Sequence, residues 1–398
     1  MFTDAAGDAL PFIVIAFLAA AAVSFVLTPL VRRIAIRYDA VDHPNQRRVN
    51  EIPVPRGGGV AVAIAFIGVA IVLLALNSVI LFAPVPTSVQ LIDVVGLLLG
   101  GALATAFGVI DDYLDLRARW QFGGQLGLAV FAIATGYVVE FISNPAGGKI
   151  LQLPGPVAIG FSILWIAGMI NSINFIDGLD GLSSGIGLIA AVTLGVISLT
   201  PQFSQPYIAV LCFVLAGSLL GFLRWNFHPA TIFAGTSGVM FLGYTLALLS
   251  ILGTAKVAVA MLVLGVPIID AFWIIVRRLV ARRSPFSPDR GHLHHRLLDV
   301  GLTHRQTVLL IYGICIVLAV LALFLTGATQ IYAFVGVFVA SGFVLFILAR
   351  GGFDPDMFEP DTPDLLPDEP LPYRASASVR EPDATFEPDA QRAARLDD

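Results

Sequence analysis

Apolar stretches about twenty residues long alternate with short polar connections along most of the chain, and no polar stripe runs through them. A run of that length, wound as an α-helix, matches the hydrocarbon thickness of a bilayer, whereas a helix on a water-soluble core keeps one face polar. Eleven such runs fall at roughly 10–31, 58–81, 91–110, 123–142, 156–173, 185–200, 207–223, 237–252, 256–276, 307–326 and 329–349, the sixth and eighth being short. The pattern predicts an all-α, polytopic membrane protein with eleven transmembrane helices.

The connections give the orientation. Of the 23 Lys and Arg residues, 21 fall in alternate loops or in the C-terminal tail, and only Lys149 and Lys256 fall on the other side. Basic residues concentrate on the cytoplasmic side of membrane proteins, so the N-terminus is expected outside. One miscounted span would scramble this partition. All six histidines and the aspartate clusters lie on the arginine side, which places the expected working face in the cytoplasm.

Composition agrees, since 57% hydrophobic and 13% charged residues in 398 exclude a soluble globular protein. Cys212 and Cys315 sit inside apolar runs and offer neither a disulfide framework nor a metal motif. The N-terminus has no basic region or cleavage site ahead of its apolar run, so the first span is expected to be retained. From Asp354 the chain holds 13 acids, four arginines and eight prolines, with an x-Pro-Asp unit recurring six times. Residues 354–398 therefore read as a disordered acidic tail on a membrane domain of 1–353. Such a tail is repelled by anionic headgroups.

The densest chemistry is NSINFIDGLDGLSSG, Asn171 to Gly185, at the end of the fifth run. Asn171, Asn174 and Asp177 recur every three residues, which makes one drifting stripe on a helix. Gly178 and Gly181 are expected to break that helix and turn Asp180 back, making a cup of carboxylates and amides. Such oxygens suit a hard cation and the phosphates it bridges. Asp111, Asp112 and Asp115 close the third run, where adjacent carboxylates repel each other and oppose the helix dipole, so stability is a poor reason for them. His292, His294 and His295 lie between Arg290 and Arg296 without zinc-ligand spacing, a pattern that suits an anion better than zinc. Arg56 with Gly57 to Gly59, and the NFHPATIFAGTSG stretch from Asn226, are weaker candidates for phosphate contact. Asp270 lies inside the ninth run, where a charge is costly; it either faces the same cavity or makes a structural hydrogen bond.

Taken in order, Asp111-Asp112, NxxNFxDGxDGL and HLHH resemble the polyprenyl-phosphate N-acetylhexosamine-1-phosphate transferase family, from about Tyr38 to His304. The resemblance implies that undecaprenyl phosphate in the membrane attacks the β-phosphorus of a UDP-sugar, most closely UDP-GlcNAc, and that UMP leaves. It further implies a multi-pass protein of a bacterial plasma membrane that starts a cell-envelope glycopolymer, with no nucleic-acid partner and with a homodimer among the expected assemblies. By motif, Asp111, Asp112, Asp177 and Asp180 would be catalytic. Asn171, Arg56, Arg119, Arg290, His292, His294 and His295 would hold substrate, and Asn174 and Thr236 would hold Mg²⁺, with Mn²⁺ as the alternative ion. Two positions depart from the family pattern: Thr236 stands where an aspartate is usual, and Gln121 where a lysine is usual. They motivate a competing expectation, a degenerate relative that binds lipid phosphate or UDP-sugar without turnover. A secondary transporter is opposed by the one-sided chemistry and the absence of recognisable repeats.

Overall fold

The computed structural model describes residues 4–42, 53–142, 144, 150–252, 256–284 and 291–350. The acidic tail, His43 and Arg290 lie outside the described residues. The elements run α1 (Asp4–Arg37), β1 (Val41–Asp42), β2 (Val54–Pro55), α2 (Gly59–Ile80), α3 (Leu91–Leu114), α4 (Ala118–Ala134), β3 (Phe141–Ile142), β4 (Leu151–Gln152), α5 (Gly155–Ile176), α6 (Leu182–Ser198), α7 (Pro206–Asn226), α8 (Gly235–Ile251), α9 (Val257–Val263), α10 (Gly265–Val280), α11 (Leu293–Asp299), α12 (His304–Phe324) and α13 (Ala328–Arg350). The four strands form two antiparallel ribbons of two residues a side.

Six of the described helices, α1, α2, α3, α5, α7 and α12, are long and apolar enough to cross a membrane, and α9 with α10 makes a seventh if that bent pair is one span. Helices α6 and α8 and the apolar part of α13 are shorter. The chain is thus a helical, polytopic membrane protein. Two predicted runs take a different form. The ninth is broken at Leu264 by a 78° bend between α9 and α10. Pro267, at the start of α10, removes one helical donor, and its ring opposes the carbonyl four residues back, at Val263. The fourth, expected to reach residue 142, leaves the helix at Ala134, and Gly136 at φ +100° turns the chain into β3.

Helix α8 is the centre of the bundle: every residue from Ser237 to Ile251 is buried. It packs on α3 and α5 most extensively. Apolar attraction between helices is weak in lipid, so close backbone approach and hydrogen bonds take over. A side chain on Gly59 would run into the backbone of Gly238, and one on Gly108 into the backbone of Ser237, so α2 and α3 lie against the first turn of α8. Tyr244 donates to Gly96 O (2.9 Å), and Trp165 Nε1 to Ser250 Oγ (3.0 Å), which pins α8 to α3 and α5. These contacts bring the N-terminus of α8 to the C-terminus of α3.

Candidate active site

Asp111 and Asp112 occupy the last turn of α3, which ends at Asp115 in the left-handed region (φ 46°). Both are buried, at 4% and 7% exposure. The unfavourable dipole of their own helix is offset by that of α8. Asp112 Oδ1 accepts from Thr236 N (2.7 Å) and Oδ2 from Ser237 N (3.0 Å), two donors that an α-helix leaves unsatisfied at its start. Gly235, at φ +71°, has no room for a Cβ beside the Asp112 carboxylate and Gly57 N. Asp111 accepts from Leu116 N (3.1 Å), from Gln121 Nε2 at both oxygens (2.9 and 3.0 Å) and from the Thr236 hydroxyl (2.5 Å). Arg56 bridges Asp42 (2.9 Å) and Asp115 (2.8 Å), which ties the β1–β2 ribbon to this corner.

Across the bundle, α5 ends at Ile176 and the chain turns through 177–181, with Gly181 at φ +80°. The glycine break expected from the sequence is present. Asn171 donates to Gln125 on α4 and to Ala167 O (3.0 Å), so its amide is engaged within the bundle. Asn174 is half-buried. Asp177 accepts from the Ser183 hydroxyl. Asp177 is half-buried. Burial, opposed by the Ser183 hydrogen bond and aided by the charges of Asp112 and Asp180, pushes its carboxyl up to about 7. Asp180 turns towards the α7–α8 loop, where it accepts from His228 Nδ1 (2.8 Å) and Ala230 N (3.0 Å).

The histidine segment reaches the same end of α5. Gly178 lies so close to the His294 ring that a Cβ there would overlap it. His292 and His294 stack at 5.4 Å and 13°, His294 and His295 meet at 4.4 Å, and Phe175 lies 5.7 Å from His292. Burial, with the neighbouring His295, His292 and His304, holds His294 well below the ordinary histidine range, so its ring is neutral at pH 7. Asp270 accepts from His292 Nδ1 (2.9 Å) and Leu293 N (2.8 Å), so of the two expectations for it the hydrogen bond is present, and it lands on the histidine segment.

Most of the sequence candidates thus converge: Asp111, Asp112, Asp177, Asp180, Thr236 and the three histidines surround the junction of the α3, α5 and α8 ends. Arg119 does not join them; it lies exposed on the first turn of α4, over its neighbour Trp120. Sequence reasoning missed Ser183, and it did not assign His228 and His304 to the site. The rings of those two histidines stack at 4.1 Å and 20° beside Asp180. Asp180, His228 and His304 offer ligand atoms within 4.8 Å of one another, a group able to hold a metal. Nearly parallel rings direct their in-plane lone pairs alongside each other, so shared coordination requires one ring to turn. The charges of Asp112 and Asp180 both bear on Asp177.

Residues 94–254, which carry both carboxylate clusters and Thr236, match the family model for glycosyl transferase family 4. The chain is 36% identical over 356 residues to a Bacillus subtilis (strain 168) protein named "Probable undecaprenyl-phosphate N-acetylglucosaminyl 1-phosphate transferase", covering 88% of this chain and 95% of that one. The chain belongs to glycosyl transferase family 4. A Mycobacterium leprae relative, named decaprenyl-phosphate N-acetylglucosaminephosphotransferase, is 36% identical over 342 residues, or 78% of this chain and 83% of its own. One from Thermotoga maritima, named undecaprenyl-phosphate alpha-N-acetylglucosaminyl 1-phosphate transferase, is 31% identical over 276 residues, or 69% and 78%. In this family 4 member, Thr236 and Gln121 both contact Asp111.

Proposed function

We propose that this chain transfers N-acetylglucosamine-1-phosphate from UDP-GlcNAc to a polyprenyl phosphate and releases UMP. An oxygen of the lipid phosphate bonds to the β-phosphorus of the nucleotide sugar as the bond from that phosphorus to the bridging oxygen breaks, and UMP leaves with that oxygen. The observation that carries the reading is the meeting of the buried carboxylate pair of α3 with the half-buried aspartates at the end of α5, with the histidine segment packed on Gly178. The names of the relatives supply the lipid and the sugar. Phosphoryl transfer of this kind rests on positioning and charge neutralisation.

Within that reading, Asp177, whose carboxyl is pushed up to about 7 by burial, gives up its proton when a divalent cation binds beside it. Asp111 and Asp112, held by neutral donors and backbone N–H groups, fix the corner between α3 and α8. His292, His294 and His295, with Arg290, hold the sugar-nucleotide. Asn174, Asp177 and Asp180 would hold a divalent cation such as Mg²⁺, which would supply charge neutralisation of the phosphates. The site faces the cytoplasm of a bacterium, and the N-terminus lies outside. Undecaprenyl phosphate is the acceptor. Purified protein incubated with undecaprenyl phosphate and UDP-GlcNAc should yield a lipid pyrophosphate carrying one N-acetylhexosamine by mass spectrometry. Return of unmodified lipid from folded protein would rule the reading out.

A further inference from the structure

The ninth predicted run carries an acid that the transferase reading leaves without a part. Asp270, on α10 six residues beyond the break at Leu264, is 9% exposed, and both of its oxygens are used. Oδ2 lies 2.9 Å from His292 Nδ1, and Oδ1 accepts from Leu293 N–H (2.8 Å). Arg277 and Arg296 place positive charge near this carboxylate, and His294 and His295 face the His292 ring. The ring is boxed by Phe175 at 5.7 Å and by stacked His294, and the Arg278 guanidinium lies 5.5 Å from the Phe175 ring.

We propose that Asp270 is a positioning residue that acts through His292, fixing which ring nitrogen is presented to the sugar-nucleotide. An ionised carboxylate only accepts hydrogen bonds, so its partner Nδ1 carries the proton. In the neutral ring Nε2 is then the acceptor; in the charged ring Nε2–H is a donor at the same place. Either way one nitrogen is spent on Asp270 and the other is left for substrate, with the ring plane set by Phe175 and His294. The Leu293 bond fixes the backbone at the same point, so ring and main chain are located by one side chain. An asparagine here can still accept from Leu293 N–H, but its amide donates to Nδ1 and transfers the ring proton to Nε2. Orientation is kept and the tautomer is reversed, the kind of change that costs activity when a histidine depends on a carboxylate partner.

This inference rests on the transferase reading for its kinetic readout alone. Asp270→Asn, His292→Gln and the double variant would be compared with the unmodified protein in lipid nanodiscs, by UMP release across pH and by ¹⁵N-histidine spectra. The expected result is a kcat about 10- to 100-fold lower for Asp270→Asn, an altered pH profile, and a change of no more than about twofold when the same substitution is made on His292→Gln. Equal losses in both backgrounds would make Asp270 a structural residue and overturn the proposal. In the spectra, the His292 proton should sit on Nδ1 in the unmodified protein and on Nε2 in Asp270→Asn; an unchanged tautomer also overturns it. If the unmodified protein releases no UMP, the transferase reading fails, and the spectra alone still decide the role of Asp270.

Discussion

Thr236 and Asp111, 125 positions apart in the chain, are joined by a hydroxyl-to-carboxylate hydrogen bond of 2.5 Å. Gln121, the second departure from the pattern the chain resembles, donates to the same carboxylate. Where that pattern has a charged aspartate and lysine, this chain has a neutral hydroxyl and amide that converge on Asp111. The two exchanges belong together. They remove one charge of each sign and leave the carboxylate fully satisfied, which argues against reading either as decay of the site.

Removing one donor should therefore be costly, and restoring one charge alone should be worse. Thr236→Val or Gln121→Leu each leaves a buried carboxylate short of a partner, at about 1–3 kcal/mol of stability. Thr236→Asp sets a second carboxylate against Asp111. Thr236→Asp with Gln121→Lys should recover stability and UMP release relative to Thr236→Asp alone. Thermal unfolding and product formation on the four variants check this; a double variant no better than Thr236→Asp alone would contradict it.

The Gly178–His294 packing yields a second expectation. With Gly178→Ala, the new methyl overlaps the ring that joins the histidine segment to the end of α5. The ring must move, so UDP-sugar KM should rise about tenfold or more while the fold survives, because the displaced group is one side chain of the seven-residue α11. Unchanged KM would mean that the histidine segment does not contribute to nucleotide binding.

Asp177 sets a pH dependence. Its carboxyl titrates at about 7 in the folded chain against 3.8 as the ordinary value. Between those limits the native state binds more protons than the unfolded state, so stability falls as pH rises from about 4 to about 7 and is level above. Asp177→Asn should remove that slope, and a divalent cation should offset the loss at the upper end by binding the ionised form. Unfolding midpoints in chelator from about pH 5 to about pH 8 test it; equal slopes in both proteins would contradict the assignment.

The membrane fold was legible because the constraint is blunt: a helix that must bury its backbone in lipid announces itself by length and composition. Local exceptions were less so. Pro267 was visible, yet a proline is tolerated in many membrane helices, and the 78° bend at Leu264 depends on what packs around it. The turn at Gly136 was lost inside an apolar run. In the site, residues within one motif, such as Asp177 and Asp180, could be read from spacing. Their partners could not. His228 meets Asp180 from 48 positions away, and Ser237 caps Asp112 from 125. Neither pairing leaves a periodic trace, because it is made by helix packing.

The measurement that bears most directly on the central claim is UMP release by the purified protein given UDP-GlcNAc, with and without undecaprenyl phosphate, and with Mg²⁺, with Mn²⁺ or with chelator. The account expects UMP only when lipid, nucleotide sugar and a divalent cation are all present, with loss of release in Asp177→Asn. Release without the lipid, or none at all from folded protein in any combination, would contradict it.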